Sequence, residues 1–155
     1  ENILMAFIGS LVAAQAAVQI GKYNAAVNRQ QAAYWDKKAA QQRAAYNQID
    51  KPRLLKAQER ERSNFFVNTL MTGAEFSGTN YAMMLAFDYE AATDLVIADY
   101  NESLEFMENR NQSILKQSAA LGDIYKGKLG QVSEYAKAGG SLLSMANKHY
   151  DWIDT

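Results

Sequence analysis

Few residues in this sequence are suited to chemistry, and they are not grouped as a reactive site requires. The chain of 155 residues has no cysteine and a single histidine, His149. A cysteine-based zinc site is therefore excluded, and a Ser-His-Asp relay has little support. Carboxylates lie at helical spacing between residues 88 and 108, as in di-iron bundles. Such bundles also need Glu-x-x-His pairs, and this chain has none.

A phosphate-binding loop is also excluded. Gly73 and Gly78 are close enough to suggest one, but no Lys-Ser/Thr pair follows Gly78 and no strand precedes the loop. We therefore predict a protein that is not an enzyme, without catalytic, cofactor-binding or metal-binding residues and without a cofactor.

The composition instead predicts long helices. The chain has one proline and nine glycines in a few clusters, whereas a β-sandwich needs turn residues every 8–12 positions. The expected fold is all-α, with long helices that form an extended helical hairpin. We expect a kink near Pro52, because proline removes one helical hydrogen bond. The expected turn covers residues 73–80 and includes Gly78. Gly73 suits a helix C-terminus, and Ser77, Thr79 or Asn80 can cap the next helix.

The charges separate the chain into a basic and an acidic part. Residues 22–72 carry ten Lys/Arg and four Asp/Glu, whereas residues 73–113 carry one Arg and eight Asp/Glu. This pattern is typical of two helices of opposite sign that lie against each other or against neighbours. Two solvated faces with a chance bias are the alternative. The net charge of −1 argues against a dedicated nucleic-acid binder.

Residues 2–20 carry no charge and approach the ~20 residues that cross a bilayer. A stripe of small residues at every fourth position would let another helix approach closely: Gly9, Ala13, Ala17 and Gly21. The candidate membrane-inserting residues lie mostly off that stripe: Leu4, Phe7, Ile8, Leu11, Val12 and Val18. A buried helix in a soluble assembly remains the alternative to membrane insertion.

Alanine pairs repeat every seven residues in the next segment, and Ala25, Ala32 and Ala39 mark the expected seam. An alanine seam buries little area, so this helix should depend on a larger partner or on copies of itself.

The sequence thus divides into five segments. They are an uncharged helix (1–21), a basic Ala/Gln-rich helix kinked at Pro52 (22–72), a turn (73–80), an acidic helix (81–121), and a glycine-interrupted C-terminal helix with a tail (122–155).

The order of these segments resembles the small internal virion proteins, or ejection proteins, of short-tailed bacteriophages. The residues that carry the resemblance are Gly73–Asn80, Ala91–Leu95, Ala98–Asn101 and the Gly-Ser-Leu-Leu run within Lys137–Ser144. Nearly the whole chain fits that order. The aromatic-rich helix around Tyr34 and Trp35 departs from it.

The resemblance implies a location and a function. Such proteins are stored inside the capsid on the portal side, leave ahead of the DNA, and help to form a channel through the host envelope. It further implies helices that assemble side by side in a ring of identical copies. The implied partners are other internal core proteins, the portal and the host outer membrane, with non-specific contact to phage DNA left open.

Two other functions remain open. A soluble coiled-coil adaptor would keep residues 2–20 packed against protein and away from lipid. A peptidoglycan hydrolase carried in the particle would need a Glu/Asp pair in a cleft, which alanine-rich helices do not favour.

Overall fold

A computed structural model describes residues 2–75 and 77–150, with the side chains of residues 4–75 and 77–144. Three α-helices account for nearly all of it: α1 is Asn2–Ala45, α2 is Lys51–Met71 and α3 is Thr79–Tyr150. A π-helical segment, Tyr46–Asp50, joins α1 to α2. The described residues contain no strand, so the predicted all-α class with long helices is confirmed.

The π-helical segment lies immediately before Pro52. The Lys51 backbone N–H donates to the Tyr46 carbonyl five residues earlier, which is the wider π-type hydrogen bond. Pro52 itself occupies the first turn of α2, where a missing N–H costs least. One helical turn is therefore widened before the proline, and the chain remains helical on both sides of it.

Two glycines with positive φ bound the link between α2 and α3. Gly73 has φ 70° and Gly78 has φ 57°, in the left-handed region that glycine enters without steric cost. The Gly73 N–H donates to the Leu70 carbonyl at 3.1 Å, closing the end of α2. The Gly78 carbonyl accepts from the Ala82 N–H at 3.1 Å, within the first turn of α3.

The helices continue through two of the glycines that divide the segments of the sequence. Helix α1 continues through Gly21, and α3 continues through Gly122 to Tyr150. A glycine costs a helix only ~1 kcal/mol relative to alanine, which tertiary packing can offset. Residues 122–150 therefore belong to the same helix as the acidic segment. The expected tail, 151–155, lies outside the described residues.

The chain forms two compact units, and α1 and α3 contribute to both. The N/C unit contains residues 2–34 and 112–150, and the turn unit contains residues 35–111. In each unit the helices run antiparallel, because residues later in α3 contact residues earlier in α1 or α2. Asn28 meets Asp123 in the N/C unit, and Arg62 meets Asp88 in the turn unit.

Candidate interaction surfaces

Small side chains form the seam of the N/C unit. On α1 the buried residues recur at steps of seven and four, and on α3 mostly at steps of seven, the spacing that keeps one face toward a partner helix. They are Ala14, Gly21, Ala25 and Ala32 on α1, and Ser113, Ala120, Gly127 and Ala138 on α3. The two backbones can approach closely because none of these side chains is large.

The backbones of α1 and α3 approach closely at Gly21 and Gly127. A Cβ added to Gly21 would lie 2.7 Å from the Asp123 carbonyl oxygen and 3.0 Å from the Gly127 Cα. A Cβ on Gly127 would lie 3.0 Å from the Ala17 carbonyl oxygen. Backbone atoms on both sides leave no space for a methyl group, so only glycine fits at Gly21 without a shift of the helices.

The predicted stripe of small residues divides into two parts. Gly21 is buried and Ala17 is half-buried, and both pack against α3 of the same chain. Gly9 and Ala13 are exposed, and nothing lies within 4 Å of a Cβ placed on Gly9. The contact that the sequence assigned to sister helices is thus intramolecular at Ala17 and Gly21.

The alanine seam expected from the sequence also packs against helices of the same chain. Ala25 and Ala32 are buried in the N/C unit, and Ala39 is fully buried in the turn unit. Asn109, on α3, is 5% exposed and donates a hydrogen bond to the Gln42 side chain. The turn unit therefore combines alanine packing with buried polar pairing.

In most ion pairs of the turn unit, a basic residue of α1 or α2 contacts an acidic residue of α3. Arg43, Lys51 and Arg62 contact Glu102, Asp99 and Asp88 at 2.9, 2.9 and 3.0 Å. One reversed pair, Arg110 with Asp36, measures 2.5 Å. The predicted pairing of the basic part with the acidic part is confirmed by the first three contacts. Exposed pairs of this kind add ~0–1 kcal/mol each and chiefly fix the register of the helices.

A polar network surrounds the end of the π-helical segment. The Tyr46 hydroxyl donates to Asp99 at 2.7 Å, and the Lys51 ammonium lies 2.9 Å from both carboxylate oxygens of Asp99. The hydrogen bond to Asp99 and partial burial raise the pKa of Tyr46 to about 12. The same hydrogen bonds, from Tyr46 and Lys51, lower the pKa of Asp99. The widened turn thereby gains a fixed contact with α3.

The large apolar side chains of α3 lie on the outside. On the side away from the seam they follow alternating steps of three and four in the turn unit and steps of seven, four and three in the N/C unit, the spacing of a coiled-coil stripe. We call these residues the outward stripe. In the turn unit they are Ile97, Tyr100, Leu104 and Met107. In the N/C unit they are Ile114, Leu121, Tyr125, Val132, Tyr135 and Leu142. Their exposed fractions lie between 45% and 67%.

Sequence reasoning missed the outward stripe as an interaction surface. Tyr100, Leu104 and Met107 follow helical steps of three and four, yet the buried positions of α3 are Asn109, Ser113 and smaller residues. The signal was a second seven-residue repeat, offset from the first and continuing beyond Gly122. Polar and small residues at the buried positions concealed which repeat faced the partner helix.

The N-terminal part of α1 presents apolar side chains outward. Leu4, Ile8 and Val12 are 56%, 48% and 62% exposed, and Leu11 is 36% exposed. Among the candidate membrane-inserting residues, Phe7 and Val18 are half-buried, and the Val18 Cα lies 3.5 Å from a Cβ placed on Gly127. The helix contains a window of mean hydropathy 1.7 that is long enough to cross a membrane and 11% buried. Length and composition alone make it a weak membrane candidate.

Among the described residues, no three His, Asp or Glu side chains are placed to hold a metal ion. Ser77, predicted in the turn, is exposed beside Gly78. The chain matches no protein-family model, no curated protein and no solved structure.

Proposed function

We propose that this chain is a structural subunit whose helical hairpins assemble side by side in a ring, as an internal virion protein of a short-tailed bacteriophage. It is stored on the portal side inside the capsid and ejected to help form the channel that carries DNA through the host envelope. Its role is structural rather than catalytic.

One observation supports the assembly part of the proposal: the buried side chains are small, whereas the large apolar side chains are exposed. Among the described residues, the buried hydrophobic side chains are six alanines, whereas 32 large apolar side chains are exposed. In monomeric soluble proteins large apolar residues such as Ile, Val, Leu and Phe are among those most often fully buried. A subunit that covers these side chains by contact with other copies explains why they are outside.

The phage part of the proposal rests on the resemblance carried by Gly73–Asn80, Ala91–Leu95, Ala98–Asn101 and Lys137–Ser144. It assigns the other internal core proteins, the portal and the host outer membrane as partners. The apolar segment around Leu11 supplies a surface for the membrane step, and it stays covered by protein inside the particle.

Passage through a portal favours a protein that opens easily. An alanine seam removes little apolar area from water, at ~25 cal/mol per Å². The glycine contact at Gly21 and the exposed ion pairs add little further. A hairpin held in this way unfolds at small cost and can refold at the membrane, where its outward faces meet new partners.

Mass spectrometry of purified particles before and after triggered DNA release tests the virion function. We expect the chain in intact particles and its loss from emptied ones. Retention after release would make it a fixed part of the portal, tail or shell. Absence from particles would reject the virion function.

A soluble coiled-coil adaptor is the second candidate, and the seven-residue spacing of the outward stripe favours it, because that spacing suits a protein helix better than lipid. An adaptor would associate through Leu121 and Tyr125 and leave Leu11 without contact to lipid. Flotation with liposomes separates the two: the ejection function predicts that the chain floats, and the adaptor function predicts that it does not.

A further inference from the structure

The turn unit has an acidic edge beside its outward stripe. Glu90, Asp94 and Glu108 are exposed on α3 and form no ion pair within the described part of the chain. Steps of four and fourteen place them in one row of the helix. This row borders Ile97 and Leu104, so an apolar surface with one acidic edge faces away from the seam.

The same unit has a basic row on α2. Arg53, Lys56 and Arg60 are exposed, follow steps of three and four, and take part in no ion pair among the described residues. They face away from α3, because Gln58, from the opposite side of the helix, donates a 2.9 Å hydrogen bond to the Ala91 carbonyl. Val67, 49% exposed, continues the row with an apolar side chain.

The basic row of α2 and the acidic edge of α3 lie at the same position along the axis of the helix pair. Lys51 pairs with Asp99 and Arg62 pairs with Asp88, so residues 53–60 of α2 are level with residues 90–97 of α3. If two turn units stand side by side without a shift, Arg60 comes level with Glu90. In the same arrangement Lys56 comes level with Asp94, and Arg53 lies about one helical turn further along.

We propose that copies of this chain join face to back, so that the outward stripe and acidic edge of α3 in one copy meet the basic row of α2 in the next. This inference rests on the self-assembly in the proposed function and names its interface. A third complementary pair follows from the same arrangement. Exposed Lys37 on α1 is nearly level with Glu108, since Asp36 pairs with Arg110.

Charge decides between this arrangement and a two-fold one. A two-fold contact between antiparallel α3 faces would place both acidic edges, with Glu90 and Asp94, on the same side, where like charges are unfavourable. A two-fold contact between parallel α3 faces would leave the basic row of α2 without an acidic partner. A face-to-back contact instead uses two different surfaces of each copy. Such a heterologous contact repeats from copy to copy and gives a closed ring or an open filament.

Two double variants and their mixture test the interface. Glu90→Lys with Asp94→Lys reverses the acidic edge, and Arg53→Glu with Arg60→Glu reverses the basic row. We expect each variant alone to associate about tenfold more weakly than wild type, because reversed charges oppose like charges at every contact. An equimolar mixture restores association, since each variant then meets its complement. Sedimentation velocity over a dilution series measures all three.

The matched control is Glu59→Lys with Glu61→Lys. It changes the net charge by as much as the acidic-edge variant, on exposed α2 positions outside the basic row. We expect it to associate like wild type. Circular dichroism confirms that each variant keeps its helices.

A second measurement needs no variant. We mix isotopically light and heavy wild-type chains, join amines to carboxylates with a zero-length carbodiimide, and identify the peptides by mass spectrometry. Mixed light–heavy products that join Lys56 to Glu90 or Asp94 are expected. Absence of mixed products while other intermolecular links form would overturn the proposal.

Each remaining outcome of the experiment rejects the interface. Variants that associate like wild type, or a mixture that stays dissociated, would do so, as would a wild-type chain that remains monomeric. If the basic-row variant assembles normally but loses binding to duplex DNA, the row serves the phosphate backbone instead. None of these results bears on whether the chain is present in particles, so failure of the interface and failure of the virion function are distinguishable.

Discussion

At the scale of single residues, Gly21 shows how closely the helices of the N/C unit pack. Glycine inside an exposed helix normally weakens it, and replacement by alanine normally stabilises it. At Gly21 the methyl group would meet the Asp123 carbonyl oxygen and the Gly127 backbone. Replacement of Gly21 by alanine should therefore destabilise the protein instead of stabilising it.

We predict that Gly21→Ala destabilises the protein by ~1–3 kcal/mol, because the helices must separate to admit the methyl group. Gly122→Ala is the control, since it lies in the same unit with nothing within 4 Å of its Cβ position. That variant should gain ~0.5–1 kcal/mol. Thermal unfolding of both variants measures the difference, and equal shifts would contradict the close contact.

The Tyr46–Asp99 hydrogen bond gives stability a dependence on pH at both ends. The pKa of Asp99 is lowered in the folded protein, so its contribution is present above its unfolded pKa, about 4, and is lost as pH falls through the folded value. The pKa of Tyr46 is raised to about 12, so its contribution is present below its unfolded pKa, about 10, and is lost as pH rises through 12.

We predict that Tyr46→Phe lowers the melting temperature near neutral pH and weakens the further decreases below pH ~4 and above pH ~10. Tyr89→Phe, at a tyrosine that is 77% exposed, should leave the profile unchanged. Melting temperature measured across pH for wild type and both variants checks this. Parallel curves for wild type and Tyr46→Phe would show that the hydrogen bond adds nothing.

At the scale of elements, the sequence predicted the helices better than their contacts. The scarcity of proline and the repeats of alanine required long helices, and α1 and α3 have them. The partner of the seam could not be read from Ala25 or Ala32, because an alanine repeat suits a contact within the chain as well as one between chains. Similarly, Gly127 alone does not distinguish a helix break from a close contact; the position of Gly21 opposite decides it.

The exposed N-terminal part of α1 makes a membrane prediction. We expect Leu11→Lys to abolish flotation with liposomes, because a charge near the centre of a bilayer costs at least ~2.5 kcal/mol. Ala26→Lys, on an exposed position of the same helix outside the apolar segment, should still float. Equal flotation of wild type and Leu11→Lys would show that this segment does not insert.

At the scale of the whole molecule, the contacts between helices and the exposed large apolar side chains occupy different surfaces. The seams hold the helix pairs together with small side chains, whereas the outward stripe carries the large ones. Substitutions on the stripe should therefore change association without changing the folded monomer. This separation is what we expect of the proposed assembly subunit, whereas in a globular protein the large apolar side chains form the core.

We predict that Leu121→Gln with Tyr125→Gln reduces self-association about tenfold or more, because at least ~1.4 kcal/mol of apolar contact is lost. The melting temperature of the monomer should stay within ~2 °C of wild type, as expected for surface substitutions. Ser133→Gln, exposed on another side of α3, is the control. Sizing and thermal unfolding at low concentration measure both effects. A large loss of stability would place Leu121 in the fold rather than in an interface.

The antiparallel pairing also sets the order in which the chain opens under tension. Contacting residues are 26 positions apart at Arg62 and Asp88, and 95 apart at Asn28 and Asp123. A pull on the two ends loads the most distant pair first, and each later pair bears force only after the one before it has parted. The contacts between the helices therefore break one after another, from the chain ends toward the link between α2 and α3, and not all together. Reclosure can start from the short link between Gly73 and Gly78 and run outward in the reverse order.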